Sequence, residues 1–402
     1  MTEHGRSHAP SPVMFRNSDD AADQREQRKW KDLVMLRKFV GKIRMSALMC
    51  GFAACMALTP PAAAEDLTGK IYFIMPDFTT VRFEQFDKPA FLKAAKELVP
   101  NMTVEILNSE NNVQQQTSQV QAAIANDAKA IVMVAVDPMQ TAGTLALAEQ
   151  AGIPLICTIH ACTGGPAYAY LTAPFVEIGQ KQAQAAAKVI EEMNAKTGKP
   201  VRLAKIYGDP KFPFYGDQVK GIGEYLDPLI KAGKLEVVCQ ADALLWLPAN
   251  AQTAMDQCLT KTHNGVDAIF SMNDDTGGAA LAAVEAAGLK GIKLFGGYDA
   301  TLAGVQRVAA GLQEMDMTVD YVAMNKLAVQ LAVHAIKGEK IPADLVATTF
   351  DNGYKGGIPE VDAPNSVITK DNIQQSVVDT GLYTKEQICA KGMAADSAFC
   401  RG

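Results

Sequence analysis

Short apolar runs alternate along the chain with longer, alanine-rich amphipathic stretches. Ala130–Val134 (AIVMV) is apolar without a break, as a strand covered on both faces must be. Val113–Asp127 instead places Val120, Ala123 and Ile124 at helical spacing. This alternation predicts βαβ units, and therefore parallel sheets with helices on both faces.

The alternation of strands and helices occurs twice, in two consecutive stretches of the chain. One stretch ends near Cys157, and a second begins with the long predicted helix Glu177–Met193 and extends to Ala310. Two such stretches predict two doubly wound α/β lobes. Beyond them, Gln313–Val319 and Tyr321–Ile336 offer one more strand and helix, which could return to the first lobe.

Polar and aromatic residues follow the predicted strands. In open α/β sheets, ligands bind beyond the carboxyl ends of the strands, so these residues are the candidates for a site. They are Asp77-Phe78, Asp137-Pro138, Thr158–His160, Asp209–Tyr215, Asp242–Trp246, Asn273–Asp275 and Asp299. Carboxylates and amides satisfy pairs of hydroxyl groups, and aromatic faces cover apolar C–H patches. The mixture favours sugar recognition.

The N-terminal region contains a candidate export signal. A basic stretch precedes Met45–Thr59, an uncharged apolar run of fifteen residues, and an A-x-A site ends at Ala64. The run is short for a membrane span, so we expect a signal peptide within an N-terminal extension of residues 1–64 and a periplasmic mature protein. The alternatives are a buried N-terminal helix or anchor, a lipoprotein modified at Cys55, and a true start at Met35.

The charge of the chain divides at the same place. Residues 1–64 carry ten basic and six acidic side chains, a net charge of +4. Because the 402-residue chain has a net charge of −6, the residues after Ala64 carry a net charge of −10. An acidic body argues against nucleic acid as a partner, because phosphate binding needs a basic face. It also argues against a role at a membrane surface.

Six cysteines lie beyond the predicted cleavage site: Cys157, Cys162, Cys239, Cys258, Cys389 and Cys400. An even number in an exported chain suggests disulfides, and proximity in sequence favours the pairs 157–162, 239–258 and 389–400. The alternative is that some of the six are buried free thiols. We expect no metal, because no C-x-x-C spacing or histidine cluster accompanies them.

The sequence lacks the features that would indicate an enzyme or a DNA-binding repressor. No G-x-S-x-G, Walker or H-E-x-x-H pattern is present, so we expect neither an enzyme nor a bound cofactor. A sugar-responsive repressor would need a helix-turn-helix ahead of the core, where the apolar export segment stands.

Several stretches carry a resemblance to a known family. They are WLPANA (Trp246–Ala251), SMNDDTGGAALAA (Ser271–Ala283) and GGYDATLAGVQRVAAG (Gly296–Gly311), with weaker support from Gly152–Cys157 and Asp351–Gly357. The chain resembles periplasmic sugar-binding proteins of the ribose/xylose group over about residues 66–385, most closely the D-xylose-binding proteins.

The resemblance implies a type I periplasmic binding protein, in which two Rossmann-like lobes are joined by three crossing segments and close over a ligand. By position, the crossings fall near Thr172, Asp320 and Asn352–Tyr354. The first lobe would then comprise residues 65–172 and 320–352, and the second residues 173–319 and 353–402. We expect a monomer that delivers a small sugar or polyol to the permease of an ABC importer. A receptor reporting to a membrane sensor or chemoreceptor is the alternative.

The resemblance and the strand ends together supply the candidate ligand contacts. These are Asp77, Phe78, Arg82, Phe83, His160, Phe214, Tyr215, Trp246, Asn273 and Asp299. Asn273 and Asp299 could instead only cap helices, and the aromatic residues could simply pack between the lobes.

The chain departs from the family at one place in the site. After the strand ending near Cys157 the family normally has adjacent Asp and Arg, whereas this chain has Ile159 and His160. The second-lobe helix start, usually basic, reads Phe212–Asp217 (FPFYGD). We therefore expect a less charged and more aromatic site than one for a pentose, with another sugar, a deoxy sugar or a polyol as ligand.

Overall fold

The structure is a computed structural model and describes residues 66–78, 80–390, 392 and 394–402. The predicted signal peptide, its alternatives and the cleavage site at Ala64 lie outside the described residues. Within the described ranges, no helix has both the length and the apolar character that a membrane crossing requires.

The strands follow the order of the chain. They are β1 (Gly69–Met75), β2 (Met102–Asn108), β3 (Ala128–Met133), β4 (Leu155–Thr158), β5 (Ala169–Thr172), β6 (Val201–Tyr207), β7 (Leu235–Asp242), β8 (Ala268–Ser271), β9 (Lys293–Gly296), β10 (Asp316–Val319), β11 (Thr348–Phe350), β12 (Ile358–Asp362) and β13 (Asn365–Ile368).

The α-helices fall between these strands or after the last of them. They are α1 (Lys88–Leu98), α2 (Val113–Ala125), α3 (Ala142–Gln150), α4 (Phe175–Thr197), α5 (Pro213–Lys231), α6 (Pro248–Thr262), α7 (Asp274–Ala286), α8 (Leu302–Ala309), α9 (Tyr321–Ile336), α10 (Lys385–Ile388) and α11 (Ala398–Arg401).

The first lobe is built on a seven-stranded sheet with the order β11-β12-β5-β4-β3-β1-β2. All neighbouring strands are parallel except β11, which is antiparallel to β12. Successive residues of a strand face opposite sides, so Phe73 of β1 packs with Phe91 of α1 and Ile74 packs on the other side with Val120 of α2. Helices therefore cover both faces, as the unbroken apolar run of β3 predicts.

The second lobe is built on a four-stranded parallel sheet with the order β7-β6-β8-β9. One face packs on α4 and α5, with Phe270 among Ile190 and Leu226. The opposite face packs on α6 and α7 through Met255 and Leu281. Two doubly wound lobes are present, and the predicted fold class is confirmed.

Among the described residues, three chain segments cross between the lobes and are hydrogen-bonded to one another. They connect β5 to α4, β10 to α9, and β12 to β13. The Ala363 N–H donates to the carbonyl of Thr172, and the Asp320 N–H donates to the carbonyl of Pro364, each at 2.8 Å. Strands β10 and β13 extend this contact as an antiparallel pair. The predicted crossings near Thr172 and Asp320 coincide with two of these segments.

The third crossing lies further along the chain than the predicted Asn352–Tyr354. Strand β12 pairs in parallel with β5, with Asp362 opposite Thr172, so residues 353–362 belong to the first sheet. The glycine-rich stretch after Asn352 forms the turn between β11 and β12, and the buried Asn352 side chain donates to the carbonyl of Gly165 at 2.7 Å. The first sheet thus extends beyond the predicted lobe boundary at residue 352, to Asp362.

The six cysteines of the body form three disulfides, Cys157–Cys162, Cys239–Cys258 and Cys389–Cys400. Their Cα–Cα distances of 6.0, 5.9 and 5.5 Å lie in the range of disulfide geometry. The pairing favoured by sequence proximity is confirmed. The first bridge closes the loop that carries His160.

Candidate ligand-binding cleft

A cavity of about 560 Å³ lies between the lobes, where the carboxyl ends of both parallel sheets face each other. We call it the cleft cavity. Of the predicted contacts, the following line it: Asp77, Arg82, Phe83, His160, Phe214, Trp246, Asn273 and Asp299. Its volume is in the range of sites that enclose a small molecule.

Phe78 and Tyr215 are not among the residues that line the cleft cavity, and their roles as ligand contacts stay predictions. Phe78 packs against the first-lobe core, with Lys88 Nζ 5.0 Å from its ring centre. Tyr215 follows Phe214 in α5, and consecutive helical residues point about 100° apart. Its hydroxyl donates to Asp242 at 2.8 Å, within the second lobe.

Arg82 joins the two lobes inside the cleft. Its Nε donates to Asp87 Oδ2 at 3.0 Å within the first lobe, and its Nη1 lies 3.3 Å from Asp299 Oδ1 of the second. Burial alone would lower the pKa of Arg82, but Asp87, Tyr321 and Asp299 together raise it. The guanidinium therefore stays charged, and Asn325 holds the other oxygen of Asp87 at 2.9 Å.

Asp299 occupies a strained turn, three residues after the end of β9. Its φ of 91° lies in the left-handed region that residues with a side chain rarely adopt. Its N–H donates to the Met317 carbonyl at 2.9 Å, and its own carbonyl accepts from the Tyr321 hydroxyl at 2.7 Å. Burial raises the pKa of its carboxyl group to about 6, against the opposing effects of Arg82 and a hydrogen bond with Asn273.

Asn273 both caps a helix and lines the cleft cavity. Its Oδ1 accepts from the N–H of Thr276 at 3.2 Å and from the Thr276 hydroxyl, which makes it the N-cap of α7. The next residue, Asp274, is fully buried and accepts from the Thr301 N–H at 2.8 Å, which fastens the turn that carries Asp299.

His160 presents a neutral imidazole to the cleft. Its Nδ1 lies 2.6 Å from the carbonyl of Ala135 and must donate, because a carbonyl oxygen only accepts. Burial lowers the pKa of His160 to about 4, so the ring is neutral near pH 7 and its Nε2 is left as an acceptor. The ring also packs across the cleft on Phe212, with 4.5 Å between ring centres.

The second lobe supplies an aromatic wall, formed by Phe212, Phe214 and Trp246. The ring centre of Trp246 lies 5.8 Å from that of Phe214 and 6.5 Å from that of Phe212. The six-membered ring of Trp246 lies over Gly208, where any side-chain atom would collide with it. A surface of this kind suits the C–H face of a sugar ring, and the stacking role of Trp246 stays a prediction.

Some cleft residues were not among the predicted contacts, although the strand-end argument covers the segments that contain several of them. They include Asn111, Asp137, Gln140, Phe175, Lys211, Phe212, Asp275 and Tyr298. Asp137 follows β3 in the first lobe, and Lys211 precedes α5 in the second. Lys211 Nζ lies 3.7 Å from Asp137 Oδ2, which makes a second ion pair across the cleft. Phe212 belongs to the FPFYGD stretch, which differs from the usual basic sequence of the family at this helix start.

A second cavity of about 630 Å³ adjoins the first but is acidic. Glu177, Asp217, Glu360 and Asp362 line it, and burial raises the pKa of Glu360 to about 7. Of the predicted contacts only Phe214 reaches it, so the smaller cleft cavity is the candidate site. In the described part of the chain, no group of three or more His, Cys, Asp or Glu side chains is arranged to hold a metal ion.

The sequence matches a family model described as a periplasmic binding protein domain over residues 71–340. The chain belongs to the periplasmic binding protein family. This periplasmic binding protein is 28% identical over 327 residues to a D-xylose-binding periplasmic protein of Escherichia coli (strain K12), a match covering 79% of this chain and 92% of that relative.

Solved structures give the same answer for the fold. A solute-binding protein of an ABC transporter from Clostridium phytofermentans, with bound β-D-glucose, matches this periplasmic binding protein with a TM-score of 0.70 and 25% identity, over 79% of this chain and 99% of that one. The Caulobacter myo-inositol binding protein, bound to myo-inositol, matches with a TM-score of 0.61 and 22% identity, over 78% and 97% of the two chains. The second likeness concerns the fold alone.

Proposed function

We propose that this periplasmic binding protein captures a small sugar or polyol in the cleft cavity and delivers it to an ABC importer. The observation that carries the proposal is the pairing of Arg82 and Asp299 across the cleft, beside the aromatic wall. A charged pair beside aromatic faces fits a ring with hydroxyl edges and a C–H face.

Capture of this kind requires no catalytic residue, and the protein acts by binding rather than as an enzyme. A ligand favours closure only if it contacts both lobes, because it must bind the closed state more tightly than the open one. The cleft cavity is lined by polar groups from both lobes, with Asp77 and His160 on the first lobe and Asn273 and Asp299 on the second. We place the lobes at residues 66–172 with 320–362, and 173–319 with 363–402.

The relatives support a polyhydroxylated ligand without naming it. They include proteins that bind D-xylose, β-D-glucose and myo-inositol, which share several vicinal hydroxyl groups and no net charge. Relatives described as an ABC transporter protein and as ribose import proteins favour import over sensing. The proposal further holds that the protein works in the periplasm, as a monomer, after removal of its export signal near Ala64.

Isothermal titration calorimetry of the purified protein against neutral pentoses, hexoses, deoxy sugars and inositols tests the proposal. We expect saturable binding of at least one of them. Asp299→Asn should weaken that binding, while the matched control Asp267→Asn, on the second-lobe surface beside Arg202, should leave it unchanged. Absence of saturable heat with every compound in the panel would refute the proposal.

A further inference from the structure

One buried carboxylate connects two loops of the second lobe. Asp209 lies two residues after β6 and is only 5% exposed. Its Oδ2 accepts from the N–H of Leu245 at 2.8 Å, and its Oδ1 accepts from the N–H of Lys211 at 3.0 Å. Asp209 is not among the residues that line the cleft cavity, so it stands behind the site rather than in it.

The two loops that Asp209 joins carry the aromatic wall. Lys211 directly precedes Phe212, and Leu245 directly precedes Trp246. These four neighbours of Asp209 all line the cleft cavity. A shift of either loop would therefore change the spacing of the rings that face the ligand.

The two residues that precede Trp246 are held little by packing. Leu244 and Leu245 are 54% and 58% exposed, so little apolar burial fixes them. Leu245 and Trp246 also have φ values of 58° and 56°, in the left-handed region that is unfavourable for residues with a side chain. A conformation of this kind persists only where the surroundings impose it. The hydrogen bond from Leu245 to Asp209 is such a constraint.

We propose that Asp209 is the positioning residue of the ligand site, and that it sets the distance between Phe212 and Trp246 without touching the ligand. A carboxylate suits this task because its two oxygens can each accept a backbone N–H, and charge-assisted hydrogen bonds are stronger than neutral ones. The effect on ligand affinity rests on the proposed function, whereas the effect on Trp246 does not.

The experiment uses the full chain with Trp30→Phe, so that Trp246 is its one tryptophan. Asp209→Ala removes both acceptor oxygens, and Asp209→Asn keeps one. The matched control is Asn372→Ala, which removes a second-lobe side chain that accepts from the Thr369 N–H at 2.7 Å and is not among the residues lining the cleft. The measurements are Trp246 emission and acrylamide quenching without ligand, the melting temperature, and sugar affinity by calorimetry.

For Asp209→Ala we expect Trp246 emission to shift to longer wavelength, quenching to increase, and affinity to fall by about tenfold or more. Asp209→Asn should lie between the parent and Asp209→Ala, and Asn372→Ala should lower the melting temperature with Trp246 unchanged. A folded Asp209→Ala protein with unaltered emission and quenching would overturn the proposal. If Asp209→Ala does not fold, the same comparison with Asp209→Asn decides. Failure of every sugar to bind the parent would count against the proposed function and leave the Trp246 test intact.

Discussion

Arg82 and Asp299 lie on opposite lobes, with 3.3 Å between Nη1 and Oδ1, although 217 residues separate them in the chain. Asp87 also accepts a hydrogen bond from Arg82, at 3.0 Å, so the guanidinium is held within its own lobe as well. The pair therefore places a rigid donor from one lobe next to an acceptor from the other. A hydroxylated ligand that bonds to both groups would bridge the lobes and stabilise the closed state.

Arg82→Gln should weaken sugar binding by roughly tenfold to a hundredfold, because losing one partner of a buried hydrogen bond costs about 1–3 kcal/mol. Calorimetry measures the affinity, and the melting temperature shows that the variant is folded. The matched control is Arg202→Gln, which breaks the exposed second-lobe pair with Asp267. Equal affinity of the Arg82 variant and the control would place the ligand away from Arg82.

Lys211 and Asp137 should slow ligand release by holding the lobes together at the cleft. Their ion pair is partly exposed, so we expect a contribution of about 0.2–1 kcal/mol that disappears at high salt. Lys211→Asp should increase the dissociation rate measured by stopped-flow fluorescence. The double exchange Lys211→Asp with Asp137→Lys should restore it at low salt. A double variant that releases ligand as fast as the single one would contradict the interlobe role.

Asp299 and His160 should make opposite contributions to stability in mildly acidic solution. Burial raises the pKa of Asp299 from 3.8 to about 6, so between these values the folded state binds more protons and the free energy of unfolding falls as pH rises. Burial lowers the pKa of His160 from 6.5 to about 4, so there the unfolded state binds more protons and the free energy of unfolding falls as pH falls.

Urea unfolding at several values between pH 4 and 6.5 separates the two contributions. Relative to the parent, Asp299→Asn should make the free energy of unfolding rise more steeply with pH, because the Asp299 carboxyl group no longer makes its opposing contribution. His160→Gln should make the rise shallower. Curves for both variants that run parallel to that of the parent would show that neither group titrates with the shifted pKa.

The sequence predicts the two α/β lobes well, because the spacing of apolar residues within each short segment indicates whether it forms a strand or a helix. The strand-end argument also leads to His160, Asn273 and Asp299 by segment, since parallel strands bring their carboxyl ends together, whereas Arg82 comes from the family resemblance. Which side chains of a segment point into the cleft is harder to predict. Tyr215 follows a strand as closely as Phe214 does, yet helical rotation turns it toward its own lobe.

Long-range pairing is also hard to predict. The extension of the first sheet to Asp362 depends on β12, which is recognisable only from its pairing with β5, more than 180 residues earlier in the chain. The pair Lys211–Asp137 and the support of two loops by Asp209 likewise depend on which segments the fold brings together. No local pattern in a single sequence contains that information.

Gly208 offers the sharpest test of the aromatic wall, because Trp246 occupies the space that a side chain at residue 208 would need. Gly208→Ala should push the indole out of place, shift Trp246 emission and weaken sugar binding. Gly216→Ala is the matched control: residue 216 lies inside α5, and beyond its chain neighbours and its own helix backbone no atom comes within 4 Å of the added methyl group. There alanine should stabilise the helix by about 0.5–1 kcal/mol and leave binding unchanged. A Gly208→Ala protein that binds sugar as tightly as Gly216→Ala would show that the ligand does not contact the Trp246 ring.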